Sequence, residues 1–164
     1  MAKKKRSLSK IPKQWVSKKI LRILLDDFAL FGSVPFYVLV TMFAYFIGNK
    51  ELFLRMVYTF LIGFVVVIAI KKVHYKDRPQ KEEFNIFMEK VIASSFPSTH
   101  SLIITTITIL LYLAYHSLWV LVTFGILSIL VYTQRYITKK HFFIDIVGGI
   151  VLSVIIIVFV IKVL

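Results

Sequence analysis

Apolar residues along this chain fall into long blocks rather than short alternating runs, and several approach the ~20 residues that a membrane-crossing helix requires. Residues 28–48, 52–70, 100–116, 118–134 and 145–164 form five such blocks, with Asn49, Lys50 and Glu51 as the first tight turn. Two amphipathic pieces complete the pattern. From Lys13 to Leu30 the apolar Trp15, Val16, Ile20, Ile23, Leu24 and Phe28 recur at helical spacing against Lys18, Lys19, Arg22, Asp26 and Asp27, which suits a helix lying in the interface rather than crossing it. Within the polar interval 71–99, Phe84, Phe87, Met88, Val91 and Ile92 share one helical face and predict a second surface helix. The pattern predicts an all-α, polytopic transmembrane bundle of about five spanning helices plus interfacial helices. Residues 1–164 read as a single membrane-embedded domain, with a basic tail and interfacial helix over 1–27 and the bundle over 28–164. No internal repeat or low-complexity linker marks a second unit.

Composition strengthens this picture. Apolar residues make up 59% of the chain, and the mean hydropathy is +0.83, whereas ordinary globular domains hold roughly 45–50% apolar residues. The net charge of +13 comes from Lys and Arg grouped at the ends of apolar blocks, a placement that fits anionic lipid head groups and argues against nucleic acid. No apolar run ending in small residues follows the first lysines, so a cleavable signal is not expected. Cysteine is absent, which excludes disulfides, thiolate metal sites and a cysteine nucleophile. Five crossings would put every Lys and Arg except Lys50, Arg55 and Lys162 on the face that carries the N-terminal tail. The positive-inside rule then makes that face cytoplasmic, unless residues 14–32 also cross, which would reverse the orientation of the site.

Ionisable residues near a bilayer are costly unless they pair, reach water or serve function, and here they gather in three clusters. KKVHYKDRP carries Lys71 and Arg78; SFPSTHS carries Ser98, Thr99 and His100; QRYITKKHFFID carries Arg135, His141 and Asp145. The second block ends at Lys71, the third begins at His100, the fourth ends near Gln134 and the fifth begins near Asp145, so all three clusters meet at one membrane face. Each has a chemical reason. His141 and Asp145 are four apart, and on a helix the carboxylate would hold one imidazole nitrogen while the other attacks as a nucleophile. His100 can protonate a departing alkoxide. Lys71, Arg78 and Arg135 would neutralise phosphoryl oxygens, while Ser98 and the N–H groups of Thr99 and His100 open a helix as an anion cradle. Plainer readings fit other residues. Lys72, Lys139 and Lys140 read as interfacial anchors, His74 as solvated and His116 as a helix end on the opposite face; Pro97 serves to start a span. Thr105, Thr106 and Thr108 are expected to bond backbone carbonyls inside the bundle.

Taken together, the clusters resemble the signature of the type 2 phosphatidic acid phosphatase family, within a superfamily shared with vanadium-dependent haloperoxidases. The family pattern is Lys, six residues, Arg-Pro; then Pro-Ser-Gly-His; then Ser-Arg, five residues, His, three residues, Asp. Lys71 to Arg78-Pro79, Pro97-Ser98-Thr99-His100, and Gln134-Arg135 to His141 to Asp145 match in order over about residues 50–164. Thr99 stands where the family has Gly, as it does among sphingosine phosphate phosphatases, and Gln134 stands for Ser. The resemblance implies metal-independent hydrolysis of a lipid phosphate monoester or polyprenyl diphosphate through a phosphohistidine on His141. It also implies His100 as general acid and Asp145 as partner of His141, with Lys71, Arg78, Ser98, Thr99 and Arg135 around the phosphate. The expected partners are a phosphorylated lipid substrate and membrane lipids, with no cofactor, metal, nucleic acid or obligatory protein partner. Two other classes remain open: a catalytically silent membrane protein binding anionic lipids or a partner through the same pocket, and a vanadate-using haloperoxidase.

Overall fold

The computed structural model describes residues 27–79 and 93–164. The basic tail, most of the expected interfacial helix and the surface helix around Phe84–Ile92 lie outside the described residues. Among the described residues the architecture is all-helical. A short 3-10 turn, Ala29–Gly32, leads into α1 (Val34–Phe46), followed by α2 (Lys50–Val73), α3 (Thr99–Tyr115), α4 (Leu118–Ile137) and α5 (Phe143–Val163).

Helix starts follow from local sequence. Ser33 Oγ accepts from Phe36 N at 3.4 Å, with Pro35 in the first turn of α1. Asn49 Oδ1 accepts from Leu52 N at 3.0 Å and opens α2 directly after Gly48, whose φ of 78° suits the turn between the two helices. Ser98 caps α3 through Ser101 N at 3.4 Å.

Five helices are found among the described residues, as the apolar blocks predict; α2, α4 and α5 are long and apolar enough to cross a membrane, and α1 and α3 are shorter apolar helices. α1 has 13 residues and α3 has 17, or about 20 and 25 Å at helical rise, against a hydrocarbon core of ~30 Å. The first block shortens because Phe28–Ser33 is taken up by the 3-10 turn and the cap, and Gly48 ends the helix early. The turn placed at Asn49–Glu51 moves to 47–49, since Asn49 caps α2 and so draws Lys50 and Glu51 into its first turn. α3 faces protein more than lipid: Ser101 through Thr108, Leu110 and Leu111 are all buried, and its main packing partners are α4 and α5.

The outer faces carry exposed Phe46, Val65, Trp119, Ile129 and Ile155, as a bundle bathed in lipid requires. Inside, Thr105, Thr106 and Thr108 bond the carbonyls of Ser101, Leu102 and Ile104 at 2.6, 2.9 and 2.8 Å. The same hydroxyls meet Tyr132, Ser153 and Ser128 across to α4 and α5. Up-and-down connectivity brings the end of α2, the start of α3, the end of α4 and the start of α5 to one rim. His116 caps α3 at the other, beside Asn49, Arg55 and Ile161.

Candidate active site

At that rim the three polar clusters converge on one buried carboxylate. Asp145, the third residue of α5, is fully buried. Its Oδ1 accepts from Lys76 Nζ at 2.6 Å; its Oδ2 accepts from Phe142 N at 2.8 Å and, through a very short bond, from Ser95 Oγ. Its carbonyl accepts from Ser98 N at 2.9 Å. One residue thus ties the segment after α2, the approach to α3 and the first turn of α5.

His141 is 3% exposed, and its Nδ1 lies 2.8 Å from the Ser95 carbonyl oxygen. A carbonyl can only accept, so Nδ1 carries the proton and Nε2 has the lone pair. This corrects the expected direct pairing of Asp145 with His141. α5 begins at Phe143, so His141 precedes the helix and the four-residue spacing does not put the two side chains on one face. Asp145 turns back to the Phe142 N–H instead and reaches the histidine only by way of Ser95. Burial, and then the charges of Arg135, Arg78 and Lys71, hold the His141 pKa below its ordinary value, while the bond to Ser95 opposes them.

His100, the second residue of α3, has Nδ1 3.1 Å from an Arg135 guanidinium nitrogen. Guanidinium only donates, so His100 accepts at Nδ1 and keeps its proton on Nε2. His100 also senses the charges of His141, Arg78 and Lys71, which puts both imidazoles and all three cations within electrostatic reach of one another. Lys71 is buried in the last turn of α2, and Arg78, Thr99 and Arg135 are half-buried. Ser98 is fully buried, and its oxygen accepts from Ser101 N and from Ser101 Oγ at 3.0 Å. Those bonds occupy its lone pairs and leave its hydrogen for an acceptor. Every residue expected from sequence therefore lies at this rim. Among the described residues no three His, Asp or Glu side chains converge as metal ligands.

The sequence reading missed Lys76 and Ser95. Lys76 stands two residues before Arg78, and the pair Ser94-Ser95 precedes an apolar block, where buried hydroxyls need partners; both serines are fully buried. It also missed two glycines that allow close approach. A Cβ on Gly149 would lie 2.5 Å from the Ser98 carbonyl oxygen, and one on Gly32 2.9 Å from that of His100. From the rim an apolar cavity of about 300 Å³ runs between α1, α2 and α3, with Lys71 and Thr99 in its wall beside Tyr37, Phe60, Phe64 and Ile103.

A family model described as the PAP2 superfamily matches residues 52–164. No curated relative matches the chain in sequence. Among solved structures, the crystal structure of Aquifex aeolicus LpxE is similar with a TM-score of 0.71 and 23% identity, covering 87% of this chain and 86% of that one; at that identity the likeness is one of fold.

Proposed function

The chain belongs to the PAP2 superfamily, and from that membership and the chemistry at the rim we propose that it is a lipid phosphatase that hydrolyses a lipid phosphate monoester or a polyprenyl diphosphate through a phosphohistidine on His141. The observation that carries this reading is the bond from His141 Nδ1 to the Ser95 carbonyl, which leaves Nε2 as the attacking lone pair beside three cations and a second imidazole.

Nε2 attacks phosphorus as the bond from phosphorus to the leaving oxygen breaks, and that oxygen takes the Nε2 proton of His100, which enters the step as imidazolium once the substrate phosphate draws Arg135 from its Nδ1 and the ring takes a proton there. For a monoester the departing group is the lipid alcohol; for a diphosphate it is the lipid monophosphate. The His100 imidazole, now neutral, takes a proton from water and returns to imidazolium as the water oxygen attacks the phosphohistidine, expelling neutral His141 and releasing inorganic phosphate. Lys71, Arg78 and Arg135 stabilise the charge on the equatorial oxygens, and Ser98 with the Thr99 and His100 N–H groups completes the cradle at the start of α3. The apolar cavity beside Lys71 supports a lipid over a soluble ester, since a phosphate held at the cations can lead its apolar chain into a wall of aromatic and aliphatic side chains.

A phosphate-release panel over phosphatidate, phosphatidylglycerophosphate, isoprenyl diphosphates and sphingoid phosphates, run in chelator, tests this. Wild type is expected to turn over at least one of them, and His141→Ala none. Near-normal release by folded His141→Ala, or activity that returns only with added divalent ion, would overturn the mechanism. Phosphate binding without release from any member would instead identify a silent lipid-binding protein.

A further inference from the structure

We infer that Lys76 is a positioning residue for the reaction, acting on His141 through Asp145 and Ser95; the inference rests on His141 being the nucleophile. Lys76 lies outside the matched motif residues, between Lys71 and Arg78, and an anchoring role would send its ammonium to the membrane surface. Its Nζ instead sits 2.6 Å from Oδ1 of a carboxylate with no solvent exposure, and 4.7 Å from the centre of the Phe142 ring. The Lys76 backbone joins the same knot. Its N–H donates to Ser94 Oγ at 3.1 Å, and its carbonyl accepts from Ser95 N at 2.8 Å.

Ser95 is thereby held at three points: its N–H by the Lys76 carbonyl, its hydroxyl by Asp145, and its carbonyl by His141 Nδ1. The arrangement depends on the Asp145 carboxylate accepting from three donors at once. The carboxylate accepts from Lys76 at Oδ1 and from Ser95 and Phe142 at Oδ2, and a buried carboxylate that loses its cation partner loses the strongest of the contacts that fix its orientation. Ser95 and Phe142 both donate to Oδ2, so a carboxylate no longer anchored by Lys76 at Oδ1 can turn, loosen this grip and release the carbonyl that fixes the His141 tautomer. Lys76 supplies the counter-charge. Because its Nζ is engaged by Asp145 and the Phe142 ring, Lys76 acts on the orientation of the nucleophile and not on the phosphate. Its loss therefore falls on kcat rather than KM.

The test uses the purified full chain as wild type, Lys76→Arg, Lys76→Met, Asp145→Asn and the Lys76→Met/Asp145→Asn double variant. Turnover is measured on a short-chain phosphatidate, and the imidazole nitrogens are read by 15N NMR on histidine-labelled protein, with the His141 signal assigned by its loss in His141→Ala. Lys76→Met is expected to lower kcat about 10- to 100-fold, the usual range for partners that orient an imidazole, with KM little changed. Lys76→Arg is expected to retain most of the activity, and the double variant to be no slower than Asp145→Asn alone. The His141 Nδ1–H signal of wild type should give way to mixed tautomers in Lys76→Met. Wild-type kcat in Lys76→Met, a loss confined to KM, or losses that multiply in the double variant would overturn the inference. If Lys76→Met fails to fold because it strands a buried carboxylate, the charge-preserving and double variants carry the decision on the same criteria. A wild type that releases no phosphate from this or any panel lipid would overturn the nucleophile reading, while the ring signal still decides the role of Lys76.

Discussion

His141 has one nitrogen committed and one available, and the identity of the committed partner sets its chemistry. A carboxylate at Nδ1 would pull on the proton and raise the basicity of the ring; the Ser95 carbonyl fixes the same tautomer with less pull. With burial and the Arg135, Arg78 and Lys71 charges added, the pKa of His141 is lowered. The sign follows: a lowered pKa keeps the ring unprotonated as the pH falls through the ordinary histidine value of ~6.5, so nucleophilic capacity persists into mildly acid solution. Replacing Arg135 by Gln removes the largest charge opposing protonation, and the acid limb of kcat/KM is expected to move to higher pH, along with a general loss of rate. Substrate ionisation is common to both proteins and cancels in the comparison. A pH–rate profile whose acid limb stays in place in Arg135→Gln would show that the ring does not sense this cation.

α3 and α5 meet at their N-termini with almost no space between backbones, and the site depends on that fit. The Ser98 N–H reaches the Asp145 carbonyl at 2.9 Å, while a Cβ on Gly149 would fall 2.5 Å from the Ser98 oxygen and 3.1 Å from Ser101 Cβ. Gly149→Ala must therefore push the two helices apart. It is expected to destabilise the protein by about 1–3 kcal/mol, the usual cost of overpacking, and to lower turnover as the cradle moves away from Asp145. Thermal unfolding in detergent and phosphate release check this, and unchanged values in both would contradict the packing described. Long elements were legible because an apolar block of 18 or more residues has few other fates; α2, α4 and α5 match their expected blocks closely. α1 was less so, since apolar Phe28–Gly32 looks the same in sequence whether it continues a helix or folds under it. The clusters of the site were legible because connectivity alone sends them to one rim. The Asp145 bonds were not: Lys76 is 69 residues away and Ser95 is 50. The four-residue rule misled because His141 lies outside the helix to which that rule applies.

Across the described residues the molecule is a lipid-exposed bundle with the candidate site at one end and a second polar pocket, lined by Asn49, Glu51, Arg55 and His116, at the other. Among the described residues Lys71, Lys72, Lys76, Arg78, Arg135, Lys139 and Lys140 belong to the site's end and Lys50, Arg55 and Lys162 to the other, and on that asymmetry we propose that the rim faces the cytoplasm. Because the chain has no cysteine, single Lys139→Cys and Lys50→Cys variants can report orientation without background. A membrane-impermeant maleimide is expected to label Lys50→Cys in intact cells and Lys139→Cys only after permeabilisation; the opposite pattern would place the site on the outer face. Above orientation and substrate stands the covalent step itself. Rapid quenching of wild type with 32P-labelled lipid phosphate, under alkaline conditions that preserve phosphoramidates, should leave acid-labile label on the protein that maps to His141 and is missing from His141→Ala. Full turnover with no protein-bound label at any time, or the same label in His141→Ala, would contradict attack by this imidazole.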